Sequence, residues 1–108
     1  MGLFELIFGS QADLNEAAAT CEHDENALLV DVRTMDEYAS GHVPGSINIP
    51  VGEISSVRSI ASSLNAPIFL YCASGARSGA AKRSLESMGF TAVENAGSIR
   101  KYRGALVS

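Results

Sequence analysis

Short apolar runs alternate with amphipathic segments along the chain. The runs "ALLVDV" (27–32) and "PIFLYC" (67–72) are continuous apolar stretches, which is the pattern of strands buried on both faces. Shorter strands are predicted from Ile47 to Ile49 and in "TAVEN" (91–95). Strands that alternate with helices predict an α/β fold, with a mainly parallel central sheet of four or five strands and helices on both faces.

Five helices are predicted around these strands. The first runs through "QADLNEAAATCEH" with Ser10 as its cap, and the second begins at Thr34, in capping-box spacing with Glu37, and ends near Gly41. The others cover Gly52 to Leu64, "SGAAKRSLESMGF" up to Gly89, and "IRKYRGALV" after a loop "AGS". The first eight residues are expected to form an edge strand or a loose end.

Composition and charge narrow the possible functions. The 108 residues are enough for a single domain, 1–108, and 46% hydrophobic with 19% charged residues is the balance of a packed protein. A net charge of -4 argues against a nucleic-acid partner. Residues 1–53 carry ten acids and one base, whereas residues 54–108 carry two acids and seven bases. The second half can therefore attract a small anion.

No segment of the sequence resembles a membrane span or a secretory signal peptide. The opening "MGLFELIFGS" is interrupted by Glu5 and has no basic segment before it, unlike a signal peptide, and no apolar run approaches the roughly 18 residues of a membrane span. Cys21 and Cys72 alone do not make a disulfide framework. We expect a cytoplasmic monomer that does not associate with membranes.

The segment "CASGAR" between the second long strand and its helix carries the candidate chemistry. A loop at this place points backbone N–H groups inward, and the helix adds its unpaired N-terminal amides and the positive end of its dipole. Gly75 gives backbone freedom, and Ala73, Ser74 and Ala76 are small enough for the amides to approach a guest. The loop predicts an anion cradle around Cys72, in which a thiolate is favoured.

Two readings of Cys72 compete, a catalytic nucleophile and a small buried hydrophobe, and its place at the end of a buried strand favours the nucleophile. Arg77 can hold two oxygens of a sulfonate, sulfate-like or phosphate group through its planar guanidinium. Ser74 and Ser78 can each donate a hydroxyl hydrogen to the sulfur or to the anion. For Ser78 we favour capping of the helix.

Three stretches resemble the rhodanese-like domains. "LLVDVRTMDEYASGHVPGSINIP" is similar to the amino-terminal signature of that family, "YCASGARSGAAKRSLESMGF" to its active-site loop and following helix, and "VENAGSIRKY" to its closing segment. The resemblance covers residues 13 to 102. It implies a sulfurtransferase in which the Cys72 thiolate takes a sulfane sulfur from thiosulfate or another small anionic donor, and passes it from a persulfide to a thiol, cyanide or a protein acceptor. No metal or cofactor is implied.

The resemblance also suggests roles for residues outside the loop. We interpret Asp31 and Arg33 first as structural partners at the strand end, with a role in the site as the alternative, and His42 as part of the fold in preference to a proton carrier. Arg58 lies where some family members place a second anion-binding arginine, although the correspondence there is loose. The closing segment departs from the family in having Ala96 before Gly97 and Tyr102 in place of the usual tryptophan.

Other functions stay open. Phosphatases and arsenate reductases with a related cradle place five residues between cysteine and arginine, whereas four separate Cys72 from Arg77 here, a ring better suited to one sulfur atom. A persulfide carrier or interaction module for a partner enzyme is the second alternative. A minor hypothesis is that Cys21 attacks the Cys72 persulfide and closes a disulfide.

Overall fold

The computed structural model describes residues 12–108, in which one parallel sheet forms the centre of the molecule. Within these residues the sheet has four strands in the order β2-β1-β3-β4, and every neighbouring pair is parallel. The strands are β1 (Leu28–Asp31), β2 (Ile47–Asn48), β3 (Ile68–Cys72) and β4 (Val93–Ser98). The predicted α/β class and strand pairing type are confirmed.

Helices cover both faces of the sheet. They are α1 (Leu14–His23), α2 (Met35–Ala39) and α3 (Ala76–Ser87), accompanied by the 3₁₀ segments Val51–Ser59 and Ile99–Lys101. Helix α3 packs on β3 and β4 together with the first 3₁₀ segment, while α1 packs on β1 and β4. None of the helices in residues 12–108 is long and apolar enough to cross a membrane.

Alternation along β3 divides the core into two clusters, because successive side chains of a strand point to opposite faces. Ile68, Leu70 and Cys72 belong to the first cluster, with Leu85 of α3, and all four are fully buried. The second cluster lies under α1 and contains Leu14, Ala17, Leu29, Val43, Tyr71 and Ala96. Cys72 therefore ends its strand on the face that α3 covers.

The starts of the first two helices follow from their caps. Asp13 caps α1 by accepting a hydrogen bond from the amide of Asn15 at 2.8 Å, so this helix begins at Leu14. The prediction that the helix already included Asp13 was wrong, and its proposed cap Ser10 and the predicted state of residues 1–8 lie outside the described residues. The predicted capping box of Thr34 and Glu37 is confirmed in α2.

The segment predicted as a helix from Gly52 to Leu64 is a 3₁₀ segment, Val51–Ser59, with a kink at Glu53. Ile54 and Val57 are buried, but Ile60 and Leu64 are 45% and 48% exposed. A spacing of three between buried residues suits the three residues per turn of a 3₁₀-helix. The prediction of a regular helix was wrong: beyond Val57 only Ala61 packs on the core, and the other two apolar residues of the predicted stripe are exposed.

The last part of the chain also differs from the prediction. The "AGS" stretch, expected as a loop, belongs to β4, and the expected final helix is reduced to Ile99–Lys101. The side chain of Asn15 binds the backbone there, donating to the Lys101 carbonyl at 3.0 Å and accepting from the Arg103 amide at 2.8 Å. Further on, Val107 pairs with His42 in an antiparallel bridge. These contacts satisfy backbone groups that a helix would otherwise use.

Candidate active site

Cys72 is the last residue of β3 and lies at the end of the sheet formed by the carboxyl ends of the parallel strands. The residue is fully buried, beneath a loop in which Ser74 and Ala76 are exposed. Helix α3 starts at Ala76, within the predicted loop, so it includes Arg77 and begins earlier than the sequence predicted. The predicted order of strand, cysteine, short loop and helix is present in the structure.

Hydrogen-bond donors converge on the Cys72 sulfur. The Gly75 amide lies 3.0 Å from Sγ, and the Ser78 amide and Ser78 Oγ each lie 3.4 Å from it. Gly75 has a φ of 99°, a conformation that side chains disfavour, and it occupies the N-cap position of α3. The amide of the turn and an amide of the first helical turn therefore point at the same atom.

Two opposing effects determine the acidity of this thiol. Burial is the larger single effect and raises the pKa of Cys72, but hydrogen bonds from the Ser78 hydroxyl and from the amides of Ser78, Ser74 and Gly75 together outweigh it. The net result is a pKa of Cys72 below the ordinary value of a thiol. Because the thiolate is the nucleophilic form, the arrangement suits nucleophilic chemistry.

Ser78 does not cap α3 as predicted, because Gly75 is the N-cap residue. The Ser78 side chain is fully buried in the first turn of the helix. Its Oγ lies 2.7 Å from Asn95 Oδ1 and 3.1 Å from the Gly75 carbonyl oxygen, as well as beside the Cys72 sulfur. Ser78 therefore joins the cysteine environment, which was the alternative interpretation.

The end of β4 holds the loop from its other side, and sequence reasoning missed this. The Ser98 hydroxyl donates to the Ala73 carbonyl at 2.7 Å, and Asn95 Nδ2 donates to the Gly75 carbonyl at 3.2 Å. The signal was present in "VENAGS", where polar residues follow a single strongly apolar position, but it was read as a strand end and a loop. Ser98 is directly opposite Cys72 in the sheet.

Arg77 lies at the start of α3 and pairs with Glu37 of α2. Its Nη1 and Nη2 donate to Glu37 Oε1 and Oε2 at 2.9 and 3.1 Å. Each of the two side chains is about one third exposed, at 36% and 37%. The described contacts of Arg77 are thus with a carboxylate of the protein itself, and its predicted contact with a sulfur donor stays a prediction.

Asp31 and Arg33 form a buried ion pair at the end of β1. Arg33 Nη2 lies 2.7 Å from Asp31 Oδ2, and Nε lies 3.0 Å from both carboxylate oxygens. Arg33 also donates to the Gly41 carbonyl at 2.7 Å. This is the structural partnership expected from the sequence, and it fixes the strand end next to β3.

The described contacts of the other candidate residues are not with the loop. His42 stacks on Tyr38 with ring centroids 3.6 Å apart, and its Nδ1 lies 2.8 Å from the Tyr38 carbonyl. Arg58 lines a separate depression together with Ala61, Ser62, Ser63, Leu64 and Phe90. Cys21 packs on the second cluster, and burial together with the charge of Asp24 raises its pKa to about 11. This arrangement gives no support to a disulfide with Cys72, which belongs to the first cluster.

Comparison with known proteins assigns the family. The family model described as Rhodanese-like domain matches residues 10–105, which include every element described above. The chain is a rhodanese-like domain. The resemblance expected from the sequence is confirmed.

Relatives of this rhodanese-like domain are named as sulfurtransferases. The chain is 40% identical over 72 residues to the thiosulfate sulfurtransferase PspE of Escherichia coli (strain K12), covering 66% of this chain and 69% of PspE. It is 33% identical over 82 residues to the thiosulfate:glutathione sulfurtransferase of Saccharomyces cerevisiae, covering 65% of this chain and 59% of the yeast protein. A solved structure described as rhodanese with anions from E. coli superimposes with a TM-score of 0.72 at 36% identity, covering 76% of this chain and 98% of that one.

Proposed function

We propose that this rhodanese-like domain is a sulfurtransferase that carries a sulfane sulfur as a persulfide on Cys72. The observation that supports this most directly is the convergence of the Gly75 amide, the Ser78 amide and the Ser78 hydroxyl on one buried sulfur atom. Such donors stabilise a negative charge on sulfur, and they suit a terminal persulfide as well as a thiolate. PspE and the yeast relative act on thiosulfate by name, which favours thiosulfate as the sulfur donor here.

The first step is a displacement at sulfur. The Cys72 thiolate attacks the outer sulfur of thiosulfate, an S–S bond forms to Cys72, and the S–S bond of thiosulfate breaks with its electron pair leaving on sulfite. The products are a Cys72 persulfide anion and sulfite, so charge and atoms balance. The lowered pKa of Cys72 supplies the thiolate without an adjacent base, which agrees with the placement of His42 against Tyr38.

The second step regenerates the enzyme. A thiolate acceptor or cyanide attacks the terminal sulfur of the persulfide, and the bond between the two sulfur atoms breaks with its electron pair returning to Cys72. The product is an acceptor persulfide or thiocyanate. The amides of Ser74, Gly75 and Ser78 stabilise the Cys72 thiolate as it departs. The cycle requires no metal or cofactor from the protein.

Donor recognition has two proposed parts. The loop of Ala73, Ser74, Gly75 and Ala76 presents its exposed side to the solvent above the sulfur, and Arg77 adds a guanidinium next to it. Arg77 already uses two N–H groups on Glu37, and a guanidinium has five, so three remain to bind oxygens of the donor. The sulfite portion of thiosulfate is the group we place there.

Intact-protein mass spectrometry tests the cycle. We expect the wild type to gain one sulfur atom from thiosulfate, to lose it on addition of cyanide, and to release thiocyanate. Cys72→Ser should gain none. Cys21→Ser is the matched control, because it removes the other thiol, and it should gain sulfur like the wild type.

A wild type that takes up no sulfur from thiosulfate is next offered a small organic persulfide. Uptake from that donor keeps the Cys72 persulfide and changes the donor class. Absence of uptake from both, or uptake that persists in Cys72→Ser, contradicts the proposed function.

A further inference from the structure

Asn95 of β4 contacts three parts of the site at once. Its Oδ1 accepts hydrogen bonds from Ser78 Oγ at 2.7 Å and from the Gly97 amide at 2.9 Å, and its Nδ2 donates to the Gly75 carbonyl at 3.2 Å. Gly75 and Ser78 are the two residues whose donors lie closest to the Cys72 sulfur. One half-buried amide therefore connects both of them to the sheet.

An irregularity in β4 brings Asn95 to this place. Leu70 of β3 is opposite Asn95, but the next residue, Tyr71, is opposite Gly97, so that Ala96 is an extra residue in β4. An extra residue of this kind redirects the neighbouring side chains. Asn95 consequently lies beside the loop after β3, while Ala96 packs into the second cluster on the other face.

We infer that Asn95 is a positioning residue of the Cys72 site, which holds the Gly75 and Ser78 donors in the geometry that stabilises a negative sulfur. It touches neither Cys72 nor a substrate in this role, and it acts through the two residues that do contact the sulfur. The inference rests on the proposed function of Cys72 as the sulfur-accepting nucleophile. It concerns a residue in a different strand from the loop.

The chemistry of the side chain explains why an amide is suited to this place. Asn95 must accept from a hydroxyl and an amide while donating to a carbonyl, and only a carboxamide offers an acceptor oxygen and a donor nitrogen on one carbon. A carboxylate would face the Gly75 carbonyl oxygen without a hydrogen between them. An aliphatic side chain would leave the Gly75 carbonyl and the Ser78 hydroxyl each without this partner.

The single hydrogen of the Ser78 hydroxyl has three acceptors in reach: Asn95 Oδ1, the Gly75 carbonyl and Cys72 Sγ. The direction in which the pKa of Cys72 changes when Asn95 is replaced can therefore distinguish two roles of Asn95. If Asn95 positions the hydroxyl, its loss loosens the donors and the pKa of Cys72 rises. If Asn95 merely competes for the hydrogen, its loss releases that hydrogen to the sulfur and the pKa of Cys72 falls. The sign of the change separates the two roles.

The experiment measures the Cys72 thiolate by its ultraviolet absorbance as a function of pH, in a Cys21→Ser background that leaves one cysteine and without any sulfur donor. For Asn95→Ala we expect the thiolate fraction at pH values below the midpoint of the titration to fall about three- to ten-fold. The reason is that the Cys72 thiolate loses well-placed hydrogen bonds that favour its charged form. In a Ser78→Ala background, Asn95→Ala should lower the thiolate fraction by a smaller factor, because Asn95 acts partly by positioning the Ser78 hydroxyl.

Asn48→Ala is the matched control. Asn48 braces the neighbouring strand end through two hydrogen bonds of 3.0 Å from its Nδ2, to the Asp31 and Arg33 carbonyls, and it has no contact with the loop in the described structure. We expect it to lower the melting temperature without moving the Cys72 titration. Should Asn95→Ala not fold, the uncharged and nearly isosteric Asn95→Leu carries the test, and its lost hydrogen bonds should likewise raise the pKa of Cys72.

An unchanged or lowered pKa of Cys72 in folded Asn95→Ala or Asn95→Leu overturns the inference, as does an equal rise in Asn48→Ala. Because no sulfur donor is present, this result is independent of sulfur uptake. A domain that fails to form a persulfide can still show the predicted titration, so failure of the inference and failure of the proposed function are distinguished.

Discussion

The carboxylate of Glu37 joins the starts of two helices, α2 and α3. Its Oε1 accepts from the Thr34 amide at 2.9 Å to complete the cap of α2, and both oxygens accept from Arg77 at the start of α3. The hydrogen bonds from Arg77, followed by that from the Thr34 backbone, lower the pKa of Glu37 to about 2. A residue predicted only as part of a capping box therefore also binds Arg77.

Acid should remove the contribution of Glu37 to stability. Its pKa in the folded chain is about 2 and its ordinary value is 4.5, so the ionised carboxylate stabilises the fold, fully above about pH 4.5 and progressively less as the pH falls toward 2. We expect Glu37→Gln to melt below the wild type near neutral pH, and the gap between the two melting temperatures to close over that acid range.

Thermal unfolding followed by circular dichroism measures this gap. Glu86→Gln serves as the control, because Glu86 forms only an exposed i,i+4 pair with Lys82 at 3.6 Å, and such pairs contribute little. A gap between the wild type and Glu37→Gln that does not change with pH would show that the carboxylate charge has no part in it.

At the scale of elements, the junction between β3 and α3 depends on the backbone of Gly75. A Cβ at this position would meet Gly97 Cα at 3.5 Å, which is ordinary contact, but the φ of 99° would strain any L side chain. Gly75→Ala should therefore cost about 1–2 kcal/mol of unfolding free energy. It should also weaken the bond from the Gly75 amide to Sγ and slow sulfur uptake.

Denaturant unfolding and the rate of persulfide formation measure the two effects. Gly52→Ala is the control, because nothing lies within 4 Å of a Cβ built there and its φ is not positive. Equal stabilities of the Gly75→Ala and Gly52→Ala variants would contradict the role of backbone strain at the loop.

The predictability of each element followed from how much of its structure is local. Strands β1 and β3 could be predicted from continuous apolar runs, and α3 from its pattern and the glycine that ends it. The cysteine loop could then be located between β3 and α3. The polar residues of "VENAGS" were visible, but the contacts of Asn95 and Ser98 could not be assigned, because their partners Gly75 and Ala73 lie 20 and 25 residues earlier in the sequence, in the loop after the neighbouring strand of the sheet. The prediction of the final helix was wrong for the same reason, because the distant Asn15 of α1 forms hydrogen bonds with the Lys101 carbonyl and the Arg103 amide.

Considered as a whole molecule, the central sheet keeps the strands from the acidic half of the chain apart from those of the basic half, while α1 from the acidic half packs across both β1 and β4. The acidic half of the chain supplies β1 and β2, the basic half supplies β3 and β4, and the strand order keeps each pair together. The site lies on the β3 side of this division. The exposed Arg100 and Lys101 follow β4 shortly after Ser98, the neighbour of Cys72.

This distribution should make uptake of sulfur from the thiosulfate dianion sensitive to salt. Since exposed charges are screened within about 10 Å at 0.1 M salt, we expect the second-order rate of persulfide formation to fall about two- to five-fold from low to moderate ionic strength. Replacing Arg100 and Lys101 together by Gln should lower the rate at low salt and flatten the dependence.

Stopped reactions analysed by mass spectrometry give these rates. Lys82→Gln is the control, because it also removes a positive charge, but one that is paired with Glu86 within α3. It should change the rate less than the Arg100 and Lys101 replacements. A rate that does not depend on salt would exclude electrostatic attraction as a contribution to donor capture.

The parallel order of the strands also sets when the site can exist during synthesis. Of the four strands, β1 leaves the ribosome first, but its partner β3 is made only after α2, β2 and the first 3₁₀ segment, and β4, which contacts the loop through Asn95 and Ser98, is made last. Domains complete such long-range pairings only when the whole segment is available. In a nascent chain the loop after Cys72 therefore lacks its contacts with Asn95 and Ser98 until β4 has been made and paired.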